Sequence, residues 1–371
     1  MYSPSICITH NCNLNCVYCY QKHHSEQRMT FETAKNVIDT CFANIPDEKD
    51  AIEFTLIGGE PLIEFNLIRK IYEYTINRYN DFKFYFYAAT NGVLLDEERK
   101  KWFSDRKDKI FLRLSLDGTP LTHNKNRCNS YDKIDIDFFR ETWPEMGVKM
   151  TLSEYSLATL AQDIIHLHNL GFPDIGGVNL AEGDFDWNKD EYIHIIAPQL
   201  EELTDFYSNN LNLRLCQLFD KRLDLCEVSS RPRMKRCGIG RETVFFDVDG
   251  KAYPCTFMTP MSFNEDELNR ASRYDFSDDN SFIDEECYQN CYIYPICPTC
   301  SGANYLVTGS FKHRNRHKCR IQKITALFTA ELISRRIING TDNLNDEMKY
   351  YTIKAIKKIR MLYKHEFIKY L

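Results

Sequence analysis

The sequence lacks several features that would assign it to a simple class. No apolar run is long enough to span a bilayer, and no basic stretch followed by an apolar segment marks a secretory signal. An excess of basic residues is also missing: the formal net charge is -6, which argues against a general nucleic-acid-binding protein. No repeats or low-complexity segments are visible. These absences predict a globular, cytoplasmic protein that acts on neither membranes nor nucleic acid.

Cysteine, in contrast, is abundant, with 15 in a chain of 371 residues. In a chain without a secretory signal, so many cysteines indicate metal or redox chemistry rather than disulfide bonds. The length is sufficient for more than one hydrophobic core, so we expect two or three structural units.

Three of the cysteines form a compact array near the N-terminus. Cys12, Cys16 and Cys19 have the spacing C-x3-C-x2-C and directly follow a short apolar run. Three thiolates can hold a four-iron cluster and leave one iron without a protein ligand. Such an open position is typical of catalytic metal sites. The alternative is a zinc site, which needs a fourth protein ligand. Three nearby histidines could supply it: His10, His23 and His24.

The first half of the chain alternates between predicted strands and helices. Strands are predicted near residues 3–9, 51–57, 83–88, 110–116, 147–152 and 174–180. Helices are predicted near 30–44, 63–79, 96–103, 135–142 and 157–169. This alternation indicates parallel β/α units. We therefore predict an α/β fold.

Glycine-rich or polar segments follow the predicted strands. They are Gly58-Gly59-Glu60-Pro61, Thr90-Asn91-Gly92 and Ser115-Leu116-Asp117-Gly118. Each taken alone is a common turn. Parallel β/α folds, however, build their sites at the carboxyl edge of the sheet, where these segments and the cysteine loop would meet.

The cysteine array, with the aromatic Tyr18 before its last cysteine, resembles the cluster motif of radical S-adenosylmethionine (radical SAM) enzymes. The resemblance implies a partial (β/α)6 barrel. It also implies that the open iron chelates SAM and that reductive cleavage yields a 5′-deoxyadenosyl radical. Flavodoxin or ferredoxin would be the electron donor.

The resemblance also implies which residues bind SAM. The Gly-Gly-Glu segment would bind its amino group, and Ser115 with Arg127 would hold its carboxylate, since an arginine fork suits that group. Arg127 as a solvated surface charge is the alternative. The implied cofactor-binding residues are Gly58, Gly59, Glu60, Thr90, Asn91, Ser115, Asp117 and Arg127.

A second cysteine array follows a helical region at 188–236, which we expect to break at Pro198 and to end in a basic turn at 229–233. Its members are Cys237, Cys255, Cys287, Cys291, Cys297, Cys300 and Cys319. The array resembles the SPASM extension of radical SAM enzymes, although the central knot is C-x3-C-x5-C-x2-C where C-x2-C-x5-C-x3-C is usual. A zinc ribbon of the four central cysteines is the alternative, and it leaves the other three unexplained.

The SPASM resemblance implies two auxiliary 4Fe-4S clusters, and thus three clusters in all. Cys287, Cys291, Cys297 and Cys319 would ligate the outer auxiliary cluster, and Cys237, Cys255 and Cys300 the inner one. Two fully ligated cubanes need eight thiolates, and this region supplies seven. Either Cys216 or Cys226 supplies the eighth ligand, or the inner cluster keeps an open iron that could bind a substrate thiolate.

These patterns predict four consecutive domains. They are a radical SAM partial barrel at 1–215, a bridging region at 216–236, an auxiliary-cluster domain at 237–320 and C-terminal helices at 321–371. The chain starts almost at the first strand. We therefore expect that the leader segment of a precursor peptide substrate is recognised by a separate protein or by the enzyme's own surface.

The predicted function is modification of a peptide, specifically a ribosomally made precursor, with formation of a thioether or another cross-link. Two alternatives remain open at this point: an anaerobic sulfatase-maturating enzyme that generates formylglycine, and a non-catalytic zinc-binding adaptor. In the sulfatase-maturating enzymes an Asp follows the second SPASM cysteine, whereas Thr256 stands there in this chain. The catalytic base is not assigned.

Overall fold

The computed structural model describes residues 2–45, 51–182, 185–228, 237–240 and 243–369. The chain divides into two compact units, each built from three separate stretches. Unit 1 comprises Met1–Leu116, Arg127–Met146 and Cys237–Asp278. Unit 2 comprises Asp117–Asn126, Gly147–Arg236 and Asp279–Leu371. The four consecutive domains expected from the sequence stay a prediction.

Unit 1 contains a six-stranded sheet whose spatial order is β4-β3-β2-β1-β7-β8. Its strands are β1 (Ser5–Thr9), β2 (Ile52–Gly58), β3 (Phe84–Thr90), β4 (Ile110–Leu114), β7 (Phe245–Phe246) and β8 (Ala252–Tyr253). Strands β1 to β4 and β7 are parallel to their neighbours, whereas β8 returns antiparallel to β7. The carboxyl ends of four consecutive parallel strands therefore share one edge.

The strands form because apolar residues alternate with polar or aromatic ones. In β2 and β3, every second residue is buried. The rings of Phe54 and Phe86, paired in register across these strands, stack at 5.4 Å between centroids. Aromatic pairs across neighbouring strands stabilise a sheet.

Helices pack around this sheet. In unit 1 they are α1 (Phe31–Ala43), α2 (Phe65–Arg78), α3 (Glu97–Ser104), α5 (Ile136–Thr142) and α8 (Glu265–Ala271). Thr30 caps α1, since its side chain accepts a hydrogen bond from the Thr33 N–H. The buried face of α1 consists of Ala34, Val37, Ile38, Cys41 and Phe42.

Unit 2 contains a parallel pair of strands, β5 (Val148–Leu152) and β6 (Ile175–Leu180). Its helices are α4 (Pro120–Asn126), α6 (Leu160–Asn169), α7 (Asp190–Asn209), α9 (Glu285–Asn290), α10 (Ser301–Thr308), α11 (Cys319–Ile338) and α12 (Asp346–Phe367). The last two helices confirm the two that were predicted beyond residue 320.

The expectation that the helical region breaks at Pro198 is wrong. Helix α7 continues through Pro198 to Asn209. A proline inside a helix removes one backbone hydrogen bond and crowds the preceding turn. The long apolar face of α7, which includes Ile193, Ile196 and Leu200, is buried, and this packing outweighs the local cost. The basic turn at 229–233 lies outside the described residues.

All six predicted strands of the first half are present, each within two residues of the predicted bounds. The predicted α/β class is thus confirmed. Helix α4 was not predicted, and neither were the two-residue strands β7 and β8. No helix in the described part of the chain is both long and apolar enough to cross a membrane.

Candidate functional site

The cysteine loop starts where β1 ends, at the carboxyl edge of the unit 1 sheet. The segment after β2 runs beside the start of this loop. Backbone hydrogen bonds join Gly59 N to Thr9 O at 3.1 Å and Glu60 N to Asn11 O at 2.9 Å. Within the loop, Cys19 N donates to Cys16 O at 3.1 Å. The Gly-Gly-Glu segment therefore holds the entrance of the cysteine loop through its backbone.

Two glycines allow this close approach. A β-carbon on Gly58 would lie 2.4 Å from Thr9 O. One on Gly59 would lie 2.4 Å from Asn11 O and 2.8 Å from the Cys12 β-carbon. No side chain fits at these distances, so both positions require glycine.

Glu60 is the centre of a buried hydrogen-bond network. Its Oε1 accepts from the Thr90 hydroxyl at 2.7 Å and from Leu62 N at 3.0 Å. Its Oε2 accepts from Asn91 N at 2.8 Å. Burial raises the pKa of Glu60, and these donors oppose that shift. The carboxylate thus connects the ends of β2 and β3.

Asn91 extends the network to the cysteine loop. Its side-chain amide donates to Asn13 Oδ1 at 2.8 Å. Asn13 lies in the spacer between Cys12 and Cys16. Three of the predicted cofactor-binding residues, Glu60, Thr90 and Asn91, are therefore in mutual contact beside the loop.

Arg127 is buried in unit 1, at 8% exposure, so the alternative of a solvated surface charge is wrong. Its guanidinium carbon lies 5.3 Å from the centre of the Tyr18 ring. Burial raises the pKa of Cys12 to about 11, and the Arg127 charge acts in the opposite direction. The same two effects act on the thiol of Cys19, whose pKa is also raised. Arg127 therefore places a positive charge beside the loop.

The last two predicted cofactor-binding residues belong to different units. Ser115 is half-buried in unit 1, where its N–H donates to Thr90 O at 2.9 Å. Asp117 belongs to unit 2 and is buried there. Its oxygens accept from Thr151 N at 3.1 Å and from the Asn126 amide at 3.3 Å.

A buried His–Asp pair behind the loop was missed by the sequence reasoning. His10 Nε2 lies 2.6 Å from Asp247 Oδ1, and both residues are buried. Among the described residues, Cys7, His10 and Asp247 form the one group with three potential metal-ligand atoms within 4.8 Å of one another. The hydrogen bond by itself explains why His10 Nε2 and Asp247 Oδ1 lie so close together. A separation of 237 residues left no sequence signal for it.

Five cysteines of the second array line one cavity in unit 2, with a volume of about 610 Å³. They are Cys287, Cys291, Cys297, Cys300 and Cys319. Basic residues dominate the charged side chains around them. These are Lys221, Arg222, Arg314, Lys318 and Lys323, against the acidic Glu182 and Asp220. A cavity lined by thiols and cations suits a group that carries negative charge.

Two arginines of the basic loop at 312–318 reach these cysteines. Arg316 contacts Cys287 Sγ and pairs with Asp284 at 3.0 Å. Arg314 donates to Cys297 O at 3.4 Å. Burial raises the pKa of Cys287 to about 11, an effect that Asp284 increases and both arginines reduce. These two arginines therefore bring positive charge to the cysteines of the cavity.

The spacing of the sulfur atoms tests the zinc alternatives. Thiolates on one zinc ion lie about 3.8 Å apart, given Zn–S distances of about 2.3 Å in a tetrahedron. In the described part of the chain, no three cysteine sulfurs of either array come within 4.8 Å of one another. The described residues therefore contain no preformed three-thiol zinc site in either array.

The remaining array members lie apart from this cavity. Cys237 is exposed and Cys255 is half-buried, both in unit 1. Cys216 and Cys226 are buried in unit 2 and are not among the residues that line the cavity. Cys216 N donates to the Tyr207 hydroxyl at 3.1 Å, and burial raises the pKa of its thiol to about 11.

Comparisons with known proteins identify the domain that holds the cysteine loop. Residues 6–133 match the family model of the Radical SAM superfamily. The chain is 24% identical over 319 residues to a cysteine-type anaerobic sulfatase-maturating enzyme of Clostridium perfringens, covering 77% of this chain and 84% of that protein. It is 22% identical over 363 residues to the radical SAM cyclopropyl synthase TigE of Paramaledivibacter caminithermalis, covering 91% and 74%.

A solved structure shares the fold. The structure of native anSMEcpe with bound AdoMet and Cp18Cys peptide matches with a TM-score of 0.69 at 20% identity, over 92% of this chain and 99% of that chain. The chain therefore contains a Radical SAM domain at residues 6–133 and shares the fold of this structure, and its similarity to maturating enzymes identifies it as an enzyme. The alternative of a non-catalytic zinc-binding adaptor is thereby rejected. The family implies SAM and a 4Fe-4S cluster as cofactors.

Proposed function

We propose that this enzyme modifies a ribosomally made peptide and forms a thioether or another cross-link in it. The observation that carries the proposal is the unit 2 cavity with its five cysteines, in addition to the three-cysteine loop of unit 1. Forming a C–S bond from a C–H and an S–H group removes two hydrogens from the peptide. The 5′-deoxyadenosyl radical would take one hydrogen atom and the thiol would lose a proton, so one electron remains. An auxiliary cluster in the cysteine-lined cavity would accept that electron.

Cys12, Cys16 and Cys19 are the proposed ligands of the SAM-binding cluster. A 4Fe-4S cluster at this loop would bind SAM at its open iron and supply the electron that cleaves it to a 5′-deoxyadenosyl radical. The chain's own residues orient the cofactor. A carboxylate has about four acceptor directions, and Glu60 uses three within the protein, which leaves one for the ammonium group of SAM.

Arg127 and Ser115 are the proposed partners of the SAM carboxylate. The burial and positive charge of Arg127 beside the cysteine loop support this role, because a guanidinium can bind a carboxylate through two parallel hydrogen bonds. Gly58 and Gly59 contribute backbone groups at the same edge, and Thr90 and Asn91 hold Glu60 in place. Asp117 stays a further proposed contact.

Two auxiliary 4Fe-4S clusters are proposed for the SPASM-like region. The cysteines and cations that line the unit 2 cavity support an outer cluster on Cys287, Cys291, Cys297 and Cys319. Cys237, Cys255 and Cys300 are the proposed ligands of an inner cluster. An open iron on that cluster would bind the thiol of a cysteine-containing peptide, since iron–sulfur sites favour soft sulfur ligands. Flavodoxin or ferredoxin and a separate leader-recognition protein are the proposed partners.

The test uses anaerobically reconstituted enzyme, SAM, a reductant and a cysteine-containing precursor peptide encoded beside the gene. Loss of two hydrogen masses with a new C–S link, seen by tandem mass spectrometry, is the expected result. The serine analogue of the peptide should show no such product. A variant with Cys12, Cys16 and Cys19 replaced by Ala is the control that removes SAM cleavage. If the enzyme cleaves SAM but modifies none of the peptides that are encoded beside its gene, the proposal is contradicted.

Sulfatase maturation is the second candidate, because this chain is similar to a cysteine-type anaerobic sulfatase-maturating enzyme. Thr256 argues against it, since a threonine hydroxyl is a poor base near neutral pH without an activating neighbour. We expect no formylglycine when a cysteine-type sulfatase peptide is incubated with the enzyme and SAM. Efficient conversion of that peptide would make sulfatase maturation the better assignment.

A further inference from the structure

Cys128 and Asn129 have left-handed backbone conformations, with φ of 57° and 52°. They are the two non-glycine residues with positive φ in the ranges that the structure describes. In this region the β-carbon crowds the backbone of an L-residue, so the conformation costs free energy. It persists where surrounding contacts enforce it, and such positions cluster at functional sites.

The thiol of Cys128 contacts the cysteine loop of unit 1 at one residue. Its Sγ lies 3.0 Å from Asn15 O and 3.3 Å from Asn15 N. A thiol both donates and accepts, so one side chain satisfies both backbone groups of Asn15. Asn15 directly precedes Cys16.

The spacer between Cys12 and Cys16 is therefore held at two points. The Asn91 amide holds Asn13 at 2.8 Å, and the Cys128 thiol holds Asn15. Arg127, the neighbour of Cys128, lies over Tyr18 at 5.3 Å, further along the same loop. The consecutive residues Arg127 and Cys128 thus contact both halves of the cysteine array.

We propose that Cys128 is a positioning residue of the SAM-binding cluster. Its thiol fixes the backbone of Asn15, and with it Cys16, relative to Arg127. Cys128 acts through the loop and is not itself a ligand. The inference rests on the proposed role of Cys12, Cys16 and Cys19 as cluster ligands.

The experiment compares wild-type enzyme with Cys128→Ala, Cys128→Ser and Asn129→Gly, all reconstituted anaerobically. Iron content, the dissociation constant of SAM and the electron paramagnetic resonance spectrum of the reduced cluster with and without SAM are measured. Cys128→Ala should keep its iron, bind SAM about five- to tenfold more weakly and show a diminished spectral response to SAM. That range follows from the loss of one or two weak hydrogen bonds.

The other two variants separate the thiol contact from backbone strain. Cys128→Ser should recover most of the affinity and the spectral response, because a hydroxyl also donates and accepts. Asn129→Gly should match the wild type, since it relieves the left-handed strain and keeps the thiol. If Cys128→Ala loses iron, the Cys128→Ser variant decides the question. A wild-type iron content in Cys128→Ser supports the proposal, and loss of iron in Cys128→Ser overturns it.

Wild-type affinity and spectra in Cys128→Ala, or an equal defect in Asn129→Gly, would also overturn the proposal. A wild-type enzyme that shows no SAM-dependent cluster signal would instead overturn the assignment of the three loop cysteines, and this inference with it.

Discussion

At the scale of single residues, the candidate site depends on buried polar groups that bind mainly to the protein itself. Glu60 is 2% exposed and accepts three hydrogen bonds from Leu62, Thr90 and Asn91. A buried carboxylate with this many donors is fixed in position before any ligand arrives. Such preorganisation lowers the cost of binding a charged group.

Replacing Glu60 by Gln should weaken SAM binding and leave the iron content unchanged. The amide places an N–H₂ group among the donors of Leu62, Thr90 and Asn91, so one buried donor loses its acceptor, at a cost of roughly 1–3 kcal/mol in the free energy of unfolding. Equilibrium dialysis with SAM and thermal denaturation measure the two effects. Glu64→Gln is the matched control, because its carboxylate pairs with Arg28 at 3.6 Å and lies outside this network. Equal SAM affinity in both variants would count against Glu60 as a SAM contact.

Replacing Gly59 by Ala should displace the cysteine loop. Its new β-carbon would meet Asn11 O at 2.4 Å, a contact with backbone that cannot rotate away. Overpacking of this kind costs about 1–3 kcal/mol or more. We expect loss of about a third of the bound iron on reconstitution, as three clusters would predict. Gly309→Ala is the control, because it strains the left-handed end of α10 with no neighbour within 4 Å and should keep its iron.

At the scale of elements, a single histidine joins three segments of unit 2. His168, at the end of α6, donates from Nδ1 to Phe172 O at 3.0 Å and accepts at Nε2 from the Tyr207 hydroxyl of α7 at 2.9 Å. The same hydroxyl accepts from Cys216 N. Burial lowers the pKa of His168, because the charged form loses its hydration.

The stability of the protein should therefore fall as the pH decreases below about 6.5, the ordinary pKa of histidine. In that range the unfolded chain binds a proton at His168 that the folded chain excludes, so protonation favours unfolding. His168→Gln should show a smaller drop in melting temperature between pH 7.5 and pH 5.5. His365→Gln, on the exposed face of α12, should keep the full drop of the wild type. The same pH dependence in all three proteins would contradict this account.

Element types were predictable from the sequence wherever the pattern was local. Helix α1 has its cap at Thr30 and its apolar residues at helical spacing, so both its start and its buried face could be predicted. Strands β7 and β8 have two residues each, and β7 pairs with β1 across more than two hundred residues, which leaves no local pattern. Pro198 misled the prediction because a local breaker was outweighed by burial along the whole helix.

The candidate site was predictable to a similar extent. Spacing alone indicated the three loop cysteines and the glycine pair, because these features are contiguous. It did not indicate that Arg127 is buried, that Arg314 and Arg316 reach the cysteines of unit 2, or that His10 pairs with Asp247. Those contacts join distant segments, and tertiary packing decides them.

At the scale of the whole molecule, the cysteines of the two arrays predict three clusters and about twelve irons per chain. Iron and sulfide analysis after anaerobic reconstitution tests this number. Replacing Cys12, Cys16 and Cys19 by Ala should remove about a third of the iron, and Cys287→Ala should remove a similar share from unit 2. Cys41→Ala, in the buried face of α1, is the control that should keep all of it. Stoichiometric zinc without sulfide would refute the cluster assignment.

The pairing of β1 with β7 has a consequence for how the protein is made. Ser5 pairs with Phe245, so one edge of the N-terminal strand has no partner until that distant residue has been synthesised. At 5–20 residues per second, this interval lasts on the order of ten seconds or more. During it, the backbone donors and acceptors of that edge are exposed to other chains, as on any open sheet edge. The sheet next to the cysteine loop is therefore completed only after residue 245 has left the ribosome, and the nascent chain carries an open strand edge until then.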